Sequence, residues 1–276
     1  MANTSSFLKK ISSGINKRIT SIWHNPYKNA NLNWFRIKYL KHIAPNKIHS
    51  HLLLNHKTFF YDGPGYLHGL QEIFVEEIYA QKLPQNAYIL DCGANIGLSV
   101  IYLKNICPSA HIICFEPDEK NLELLQKNIS SHHLKNVEIK NEAVWTENTS
   151  LNFIQEGNMA SKIGSDSSVN TMSVKAARLK DYLIQKIDFL KIDIEGAEYN
   201  VMKDIADSLD EIGSMFVEYH GKFDQNKELT EIFEIILNAG FKFYIKEAAN
   251  NYNHPFLTEN SNHDYDLQLN IFCFRH

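Results

Sequence analysis

Between residues 87 and 274, short apolar runs alternate with stretches of helical periodicity, and this alternation limits the fold more than any other feature of the chain. AYIL (87–90), HIICF (111–115), FLKIDI (189–194) and SMFVEYH (214–220) read as buried strands, and VEIKNEAVW (137–145) holds another. Apolar residues at helical spacing fill 96–107, 122–129, 201–209 and 229–236, with Asp118 placed to cap the second helix and Gly240 to end the last. Strands and helices alternating at these lengths predict an α/β fold with a doubly wound, mostly parallel sheet. FKFYI (241–245) and LQLNIFCF (267–274) have no helix between them, so a closing hairpin should leave one strand antiparallel. The chain can bury such a sheet: of its 276 residues, 44% are hydrophobic and 22% charged, a soluble globular composition.

The chain divides into a basic, mainly helical extension over residues 1–84 and the alternating domain over 85–276. Residues 7–23 have helical periodicity, 24–60 read as irregular, YDGPGY (61–66) as a turn cluster, and Leu70, Ile73, Phe74, Ile78 and Tyr79 as one face of an amphipathic helix. Ten of the 28 basic residues lie in 1–61 and no acid does, which leaves 18 basic residues against all 32 acids in the rest. Such lopsidedness points the arm toward something negative: an anionic membrane surface, a phosphorylated substrate or the acidic domain itself. Nucleic acid is not expected, because the main domain is acidic. No run approaches the roughly 20 apolar residues of a membrane span, and no secretory leader is evident. The four cysteines form no CxxC pair and read as reduced core residues. A cytoplasmic protein is expected, with the arm able to touch the inner face of a membrane. The polar stretch QEGNMASKIGSDSSVN (155–170) reads as a mobile loop, followed by a short strand and a helix at ARLKDYL. His49/His51 and His132/His133 read as surface pairs.

In an open α/β sheet, ligands bind beyond the carboxyl ends of the strands. The five strand ends here carry Asp91, then Glu116-Pro117, then Asn141-Glu142-Ala143, then Asp193 and Glu195, then Glu218 and His220. The turn after Asp91 is Gly93-Ala94-Asn95-Ile96-Gly97, in which Gly93 permits a sharp bend and Gly97 a close backbone approach. A dinucleotide site would use GxGxxG to seat a pyrophosphate on free helix amides. An acid beside this turn would instead suit an ammonium group, and Glu116, 25 positions after Asp91, can accept hydrogen bonds from both hydroxyls of a ribose. A phosphate-free, positively charged nucleoside meets both conditions, and S-adenosyl-L-methionine is one.

LDCGANIGLSV, FEPDEKNLELLQKN, NEAV, DFLKIDIEGAEYNVMKD and FVEYHG follow one another over about residues 85–275, and together they resemble the FkbM family of S-adenosylmethionine-dependent methyltransferases. The resemblance implies a seven-stranded, class I methyltransferase-like Rossmann sheet and O-methylation of a hydroxyl on a sugar, glycan or glycosylated metabolite. It implies that Asp91, Gly93, Ala94, Asn95 and Gly97 surround the methionine part of the cofactor, Glu116 with Pro117 the ribose, Glu142 with Ala143 the adenine, and that Asp193 lies near the transferred methyl. LKDYL (179–183) departs mildly from a more acidic LDDLL-like stretch.

A hydroxyl is a poor nucleophile, so a base or a metal should assist. Glu218 and His220 share one strand face, as do Asp193 and Glu195. His220 is expected to be the general base near neutral pH, oriented or charge-stabilised by Glu218 or Glu195. A second arrangement makes Asp193, Glu195, Glu218 and His220 ligands of Mg²⁺, an ion that favours hard oxygen donors; the resemblance does not demand it. The competing functions are a non-catalytic cofactor-binding scaffold and a nicotinamide-dependent oxidoreductase, which fits the sheet but not the turn.

Overall fold

The computed structural model describes residues 30–45, 47–154, 162–163, 171–252, 254–256 and 264–275. The helix expected over 7–23, and all of the loop expected over 155–170 except 162–163, lie outside them. The chain forms two compact units, Met1–Ile78 and Tyr79–His276. The division falls before residue 79, not after 84, because the Tyr79 ring packs on Phe189 and Phe216 of the second unit, at 6.1 and 5.1 Å between centroids.

The described part of the first unit holds helix α1 (Trp34–Leu40), helix α2 (Gly63–Leu70), which runs on as a π turn over Gln71–Val75, and between them a hairpin of β1 (His49–Leu53) and β2 (His56–Phe60) in a stretch that reads as irregular in the sequence. The hairpin turns on Leu54 and Asn55, both left-handed at φ 49° and 66°, the conformation of a two-residue I′ turn built without glycine. YDGPGY is a helix start and not a free turn: Asp62 accepts from the Gly65 amide at 2.9 Å and Pro64 stands in the first turn, where its missing N–H costs nothing. His51 is buried, its ring held between the Tyr66 hydroxyl at 3.1 Å and the Asn31 carbonyl at 3.2 Å, so it is not a surface residue.

In the second unit, β3 (Tyr88–Cys92), β4 (His111–Phe115), β5 (Val137–Lys140), β10 (Ile187–Ile192), β11 (Ile212–Gly221), β12 (Lys242–Glu247) and β13 (Leu267–Phe274) form one sheet. Its order is β12-β13-β11-β10-β3-β4-β5. Neighbours from β11 to β5 run parallel, while β13 is antiparallel to both β11 and β12. The sheet interior is apolar, with Ile89, Leu90, Leu190, Ile192 and Val217 wholly buried. The helices are α3 (Leu98–Ile106), α4 (Glu119–Ser131), α5 (Glu198–Asp204) and α6 (Asn226–Asn238). Asp118 caps α4, accepting from the Lys120 and Asn121 amides at 2.9 Å each. All four cysteines are buried free thiols, His132 is buried at the end of α4, and no helix among the described residues is long and apolar enough to cross a membrane.

VEIKNEAVW is two strands and not one. After β5 the chain breaks at Asn141-Glu142, and β6 (Ala143–Trp145) joins a second sheet with β7 (Thr149–Ile154), β8 (Lys162–Ile163) and β9 (Thr171–Arg178), in the order β6-β9-β7-β8. ARLKDYL is no α-helix: its first two residues complete β9, and the rest is one 3₁₀ turn, Leu179–Tyr182.

Strand order reverses between β3 and β10, since β3 leads outward to β4 and β5 while β10 leads the other way to β11. Such a switch point opens a crevice at the carboxyl ends. The turn from β3 into α3 lies there. Gly97, at φ 90°, seats the turn on α4, where a Cβ would come within 2.7 Å of Leu125 Cδ1. Asn128 of α4, wholly buried, donates from Nδ2 to the Ile96 carbonyl at 2.8 Å. Asn128→Ala should leave that carbonyl unpaired and lower stability by about 1–3 kcal/mol; urea unfolding would measure it, and a change below a few tenths of a kcal/mol would contradict this role for the side chain.

Candidate active site

The strand ends converge on a lysine that the sequence reading passed over. Lys191 is the register partner of Asp91 across β10 and β3, and both are buried. Its Nζ lies 3.3 Å from Asp91 Oδ1 and 3.1 Å from Asp193 Oδ2, and donates to the Gly93 carbonyl at 2.8 Å. Burial pulls the ammonium's pKa down, yet Asp193 and Asp91 outweigh it and hold the group charged far above neutral pH. Asp91 spends its other oxygen on the Ser99 hydroxyl. Asp91 Oδ1 makes no hydrogen bond, so its contact with Lys191 is an ion pair without hydrogen-bond alignment. The rim is therefore not a bare row of acids, and the ammonium expected opposite Asp91 is the chain's own.

Gly93, at φ 84°, lies so close to β10 that a Cβ would stand 1.8 Å from the Asp193 carbonyl, while the Asp193 amide donates to the Cys92 carbonyl at 3.1 Å. The amides of the turn are not free, as a phosphate-type site would need. Those of Gly93 and Ala94 share the Phe115 carbonyl, Gly97 uses that of Ala94, and Ile96 uses the Asn95 side chain. The Asn95 amide donates to Glu116 Oε2 at 2.8 Å, and the Asp118 amide to Oε1 at 2.9 Å. Glu116 is 5% exposed. Burial pushes its carboxyl up to about 7, although both amides favour the anion. Pro117 follows, half-buried, just before the α4 cap. Glu142 is half-buried in the turn between β5 and β6, where its charge acts on Lys140, and Ala143 is buried in β6.

On the other side of the switch point His220 is surrounded by carboxylates. Its Nδ1 lies 3.2 Å from Glu198 Oε1, and its Nε2 lies 3.6 Å from both Glu195 Oε2 and Glu218 Oε1. Burial lowers the ring's pKa, but Glu198, then Glu195 and Glu218, raise it, leaving it at about 10. The ring is an imidazolium at neutral pH and not the near-neutral base that the sequence suggested. Its orienting partner is Glu198, 1% exposed, and not Glu218 or Glu195. Glu198 also accepts from the Ile194 and Gly196 amides, at 3.1 and 3.0 Å, and so fixes the turn that carries Glu195. That turn is left-handed at Glu195 and Gly196, φ 54° and 96°, and Tyr265 donates to the Glu195 carbonyl at 2.8 Å. One ligand atom each from Asp193, Glu195 and His220 lie within 4.8 Å of one another. The structure thus groups Asp91, Gly93, Asn95, Glu116 and Asp193 around the switch point, with Glu195, Glu218 and His220 beside Asp193, and adds Lys191 and Glu198.

A parallel sheet closed by one antiparallel strand, with a glycine turn locked to a carboxylate on the next strand, defines the Rossmann-like methyltransferase class. Residues 91–243 match the Methyltransferase FkbM domain, more than half of the chain, and the protein belongs to that family. Methyltransferase 1 of Beauveria bassiana (strain ARSEF 2860) is 26% identical over 192 residues, covering 58% of this chain and 77% of that protein. Methyltransferase sdnD of Sordaria araneosa is 27% identical over 174 residues, covering 49% and 67%. The crystal structure of Methyltransferase FkbM from Methylobacillus flagellatus KT superposes with a TM-score of 0.47 at 15% identity, over 70% of this chain and 44% of that one.

Removing the ammonium from this centre should strand two carboxylates. Lys191→Met is expected to lower stability by about 3–5 kcal/mol, and Lys191→Met combined with Asp91→Asn should recover a large part of the loss. Chemical denaturation of the two variants would show it; an equal loss in both would contradict the pairing.

Proposed function

We propose that the protein transfers a methyl group from S-adenosyl-L-methionine to a hydroxyl oxygen of a sugar, glycan or glycosylated metabolite. The observation that carries this reading is Glu116, buried at the end of β4 and tied by its own oxygens to the Asn95 and Asp118 amides. Each carboxylate oxygen holds one amide and keeps a lone pair, which suits the two hydroxyl donors of a ribose. The chemistry of the site also fits a ligand without phosphate. The turn's amides are spent internally, and Lys191 is spent on Asp91 and Asp193. A nicotinamide dinucleotide would find neither free amides nor a free cation on this turn among the described residues. When bound, S-adenosyl-L-methionine supplies an electrophilic methyl on a positively charged sulfur.

Methyl transfer is largely a matter of orientation. In this reading Gly93, Ala94, Asn95 and Gly97 shape the floor of the crevice, and Glu116 with Pro117 fixes the ribose. Glu142 and Ala143 lie toward the adenine. Asp91 acts indirectly by holding Lys191 and Ser99 under the turn. Asp193 borders the transferred methyl, and Glu195, Glu218 and His220 receive the acceptor. The hydroxyl proton passes to the carboxylate of Glu195 or Glu218, which the charged His220 ring holds in place, with Glu198 orienting that ring.

Ribose hydroxyls donate to the charged form of Glu116, so protonation competes with binding below about pH 7. Calorimetry with S-adenosyl-L-methionine should show affinity rising about tenfold from pH 6 to pH 8, as one group titrating near 7 requires. Glu116→Gln should bind more weakly and lose the slope, and Glu116→Ala should abolish binding. An unchanged slope in the Gln variant would contradict the role of Glu116. With labelled cofactor and a hydroxylated metabolite extract, His220→Ala should slow transfer about 100-fold or more while cofactor affinity changes less than threefold. A parallel loss of affinity would place His220 outside the transfer step.

The acceptor is proposed to lie at an anionic membrane surface. Helix α1 exposes Trp34, Phe35 and Tyr39 beside Arg36 and Lys38, in a segment of ten bases and no acids. Aromatic rings with basic neighbours suit the headgroup region of an anionic bilayer. The full chain should float with anionic liposomes, and a chain lacking residues 1–24 and carrying Trp34→Ser and Phe35→Ser should not; equal partition of both would dismiss the idea.

A further inference from the structure

We propose that Asn270 of β13 is a specificity-determining residue of the acceptor site, where it reads a second hydroxyl beside the one that is methylated. The acceptor it selects is a neutral vicinal diol, as a pyranose ring carries. The pairing of a diol with Asn270 stands on the geometry; only the methylation of the neighbouring oxygen rests on the proposed methyl transfer.

The first support is an unpaired group. Four side-chain atoms among the described residues are buried without a hydrogen-bond partner: Gln71 Oε1, Asp91 Oδ1, the Tyr219 hydroxyl and Asn270 Oδ1. Gln71 belongs to the first unit, and Asp91 has Lys191 beside it. Tyr219 stands between Glu218 and His220 on β11, so it faces the opposite side of the sheet. Asn270 is 3% exposed, in a strand whose next residue, Ile271, is wholly buried. Asparagine is depleted in strands, and a buried amide oxygen without a donor costs stability. The fold gives this oxygen nothing in return, and a bound molecule would supply the donor.

The second support is position. In the register of β11 and β13, Asn270 is the direct partner of Glu218. Opposed residues of antiparallel strands share one face of the sheet, with their Cβ atoms about 4.5–5.5 Å apart. Glu218 Oε1 in turn lies 3.6 Å from Nε2 of His220. The amide therefore stands beside a carboxylate that receives the hydroxyl proton in the reading above. On its other side the register partner is Lys246. That side chain is turned over the Phe272 ring, with Nζ 5.8 Å from the centroid, and gives Asn270 Oδ1 no hydrogen bond.

The third support is what such a pair can recognise. A carboxylate only accepts hydrogen bonds, while an asparagine amide both accepts and donates. Two acceptor oxygens side by side call for two donors held close together, and adjacent hydroxyls are such donors. The amide nitrogen can return a hydrogen bond to a hydroxyl oxygen. The torsion that aims the amide is broad in asparagine, so the oxygen can swing toward Glu218 as the ligand enters. Tyr265 walls the same place, its ring 5.0 Å from that of His220 and its hydroxyl on the Glu195 carbonyl. Aromatic lining with a few placed polar groups is what small-molecule sites use. A site built around a substrate hydroxyl rejects analogues that lack it, because its own buried group then stays unpaired.

The test titrates the full-length chain, with S-adenosyl-L-homocysteine present, and reads saturation-transfer difference NMR. The probes are methyl α-D-glucopyranoside, methyl α-D-mannopyranoside and methyl α-L-rhamnopyranoside, with cyclohexanol as the single-hydroxyl control. At least one glycoside should bind saturably and cyclohexanol should not. Asn270→Leu should weaken the glycoside at least tenfold, and Asn270→Ser, which keeps a polar group, should weaken it less. The leucine variant should melt no lower than the wild type, since it removes an unpaired polar atom. S-adenosyl-L-methionine affinity, measured by calorimetry on the same samples, should change less than threefold in both variants. Cofactor binding without a saturable glycoside overturns the diol assignment and spares the methyltransferase reading. Glycoside affinity unaltered in Asn270→Leu overturns it as well, as does cyclohexanol binding as tightly as the glycosides. An Asn270-dependent glycoside site in a chain that binds no cofactor upholds the diol assignment and defeats the methyl transfer alone.

Discussion

Two carboxylates, Asp91 and Asp193, sit within reach of each other at the point where the sheet changes direction, and they can do so because the Lys191 ammonium lies between them. Moving a charged group out of water costs several kcal/mol per ion, so neither the buried Asp91 nor the buried Lys191 would be tolerated there alone, while Asp193 is only half-buried. The lysine also donates to the Gly93 carbonyl, which binds the β3 turn to β10 from below. With no Cβ on Gly93 the two backbones close to a distance no other residue allows. The crevice, its glycine turn and the placement of Asp193 at its edge all follow from this pairing.

On this base the two sides of the crevice differ in kind. Toward β4 stands one buried carboxylate, Glu116, poised between its charged and neutral forms and stitched to the turn by backbone amides. Toward β11 stands a group of carboxylates around one charged ring. The first side suits holding a neutral sugar by its hydroxyls, and the second suits managing a proton. A reaction that needs a nucleoside held still while a hydroxyl is deprotonated uses both.

Much of this could be read in the sequence, because the signals are local. Asp118 caps α4 because an acid two and three residues before free amides has little else to do. The sequence shows no helical pattern between the last two apolar runs, and β12 and β13 pair antiparallel as that requires. The strand-end rule drew attention to Glu116, Asp193 and His220 without any knowledge of distance. What was missed depends on partners far along the chain. Lys191 looked like an ordinary residue of an apolar strand, and its meaning comes from Asp91, across β3 in the register. Glu198 drew no attention in the sequence, because its role depends on its carboxylate turning back to His220 and to two amides. The β1–β2 hairpin escaped notice because Leu54-Asn55 lacks the glycine that usually announces such a turn. The second sheet was hidden because β6 has only three residues and continues the apolar run of β5.

The central claim is that the crevice at the β3/β10 switch point grips a phosphate-free nucleoside by its ribose. The most direct measurement is a crystal structure of the protein grown with S-adenosyl-L-methionine. The account predicts both ribose hydroxyls against the Glu116 carboxylate, and the sulfur on the side of Asp193 and His220. Cofactor density elsewhere on the chain, or a ribose facing away from Glu116, would contradict it.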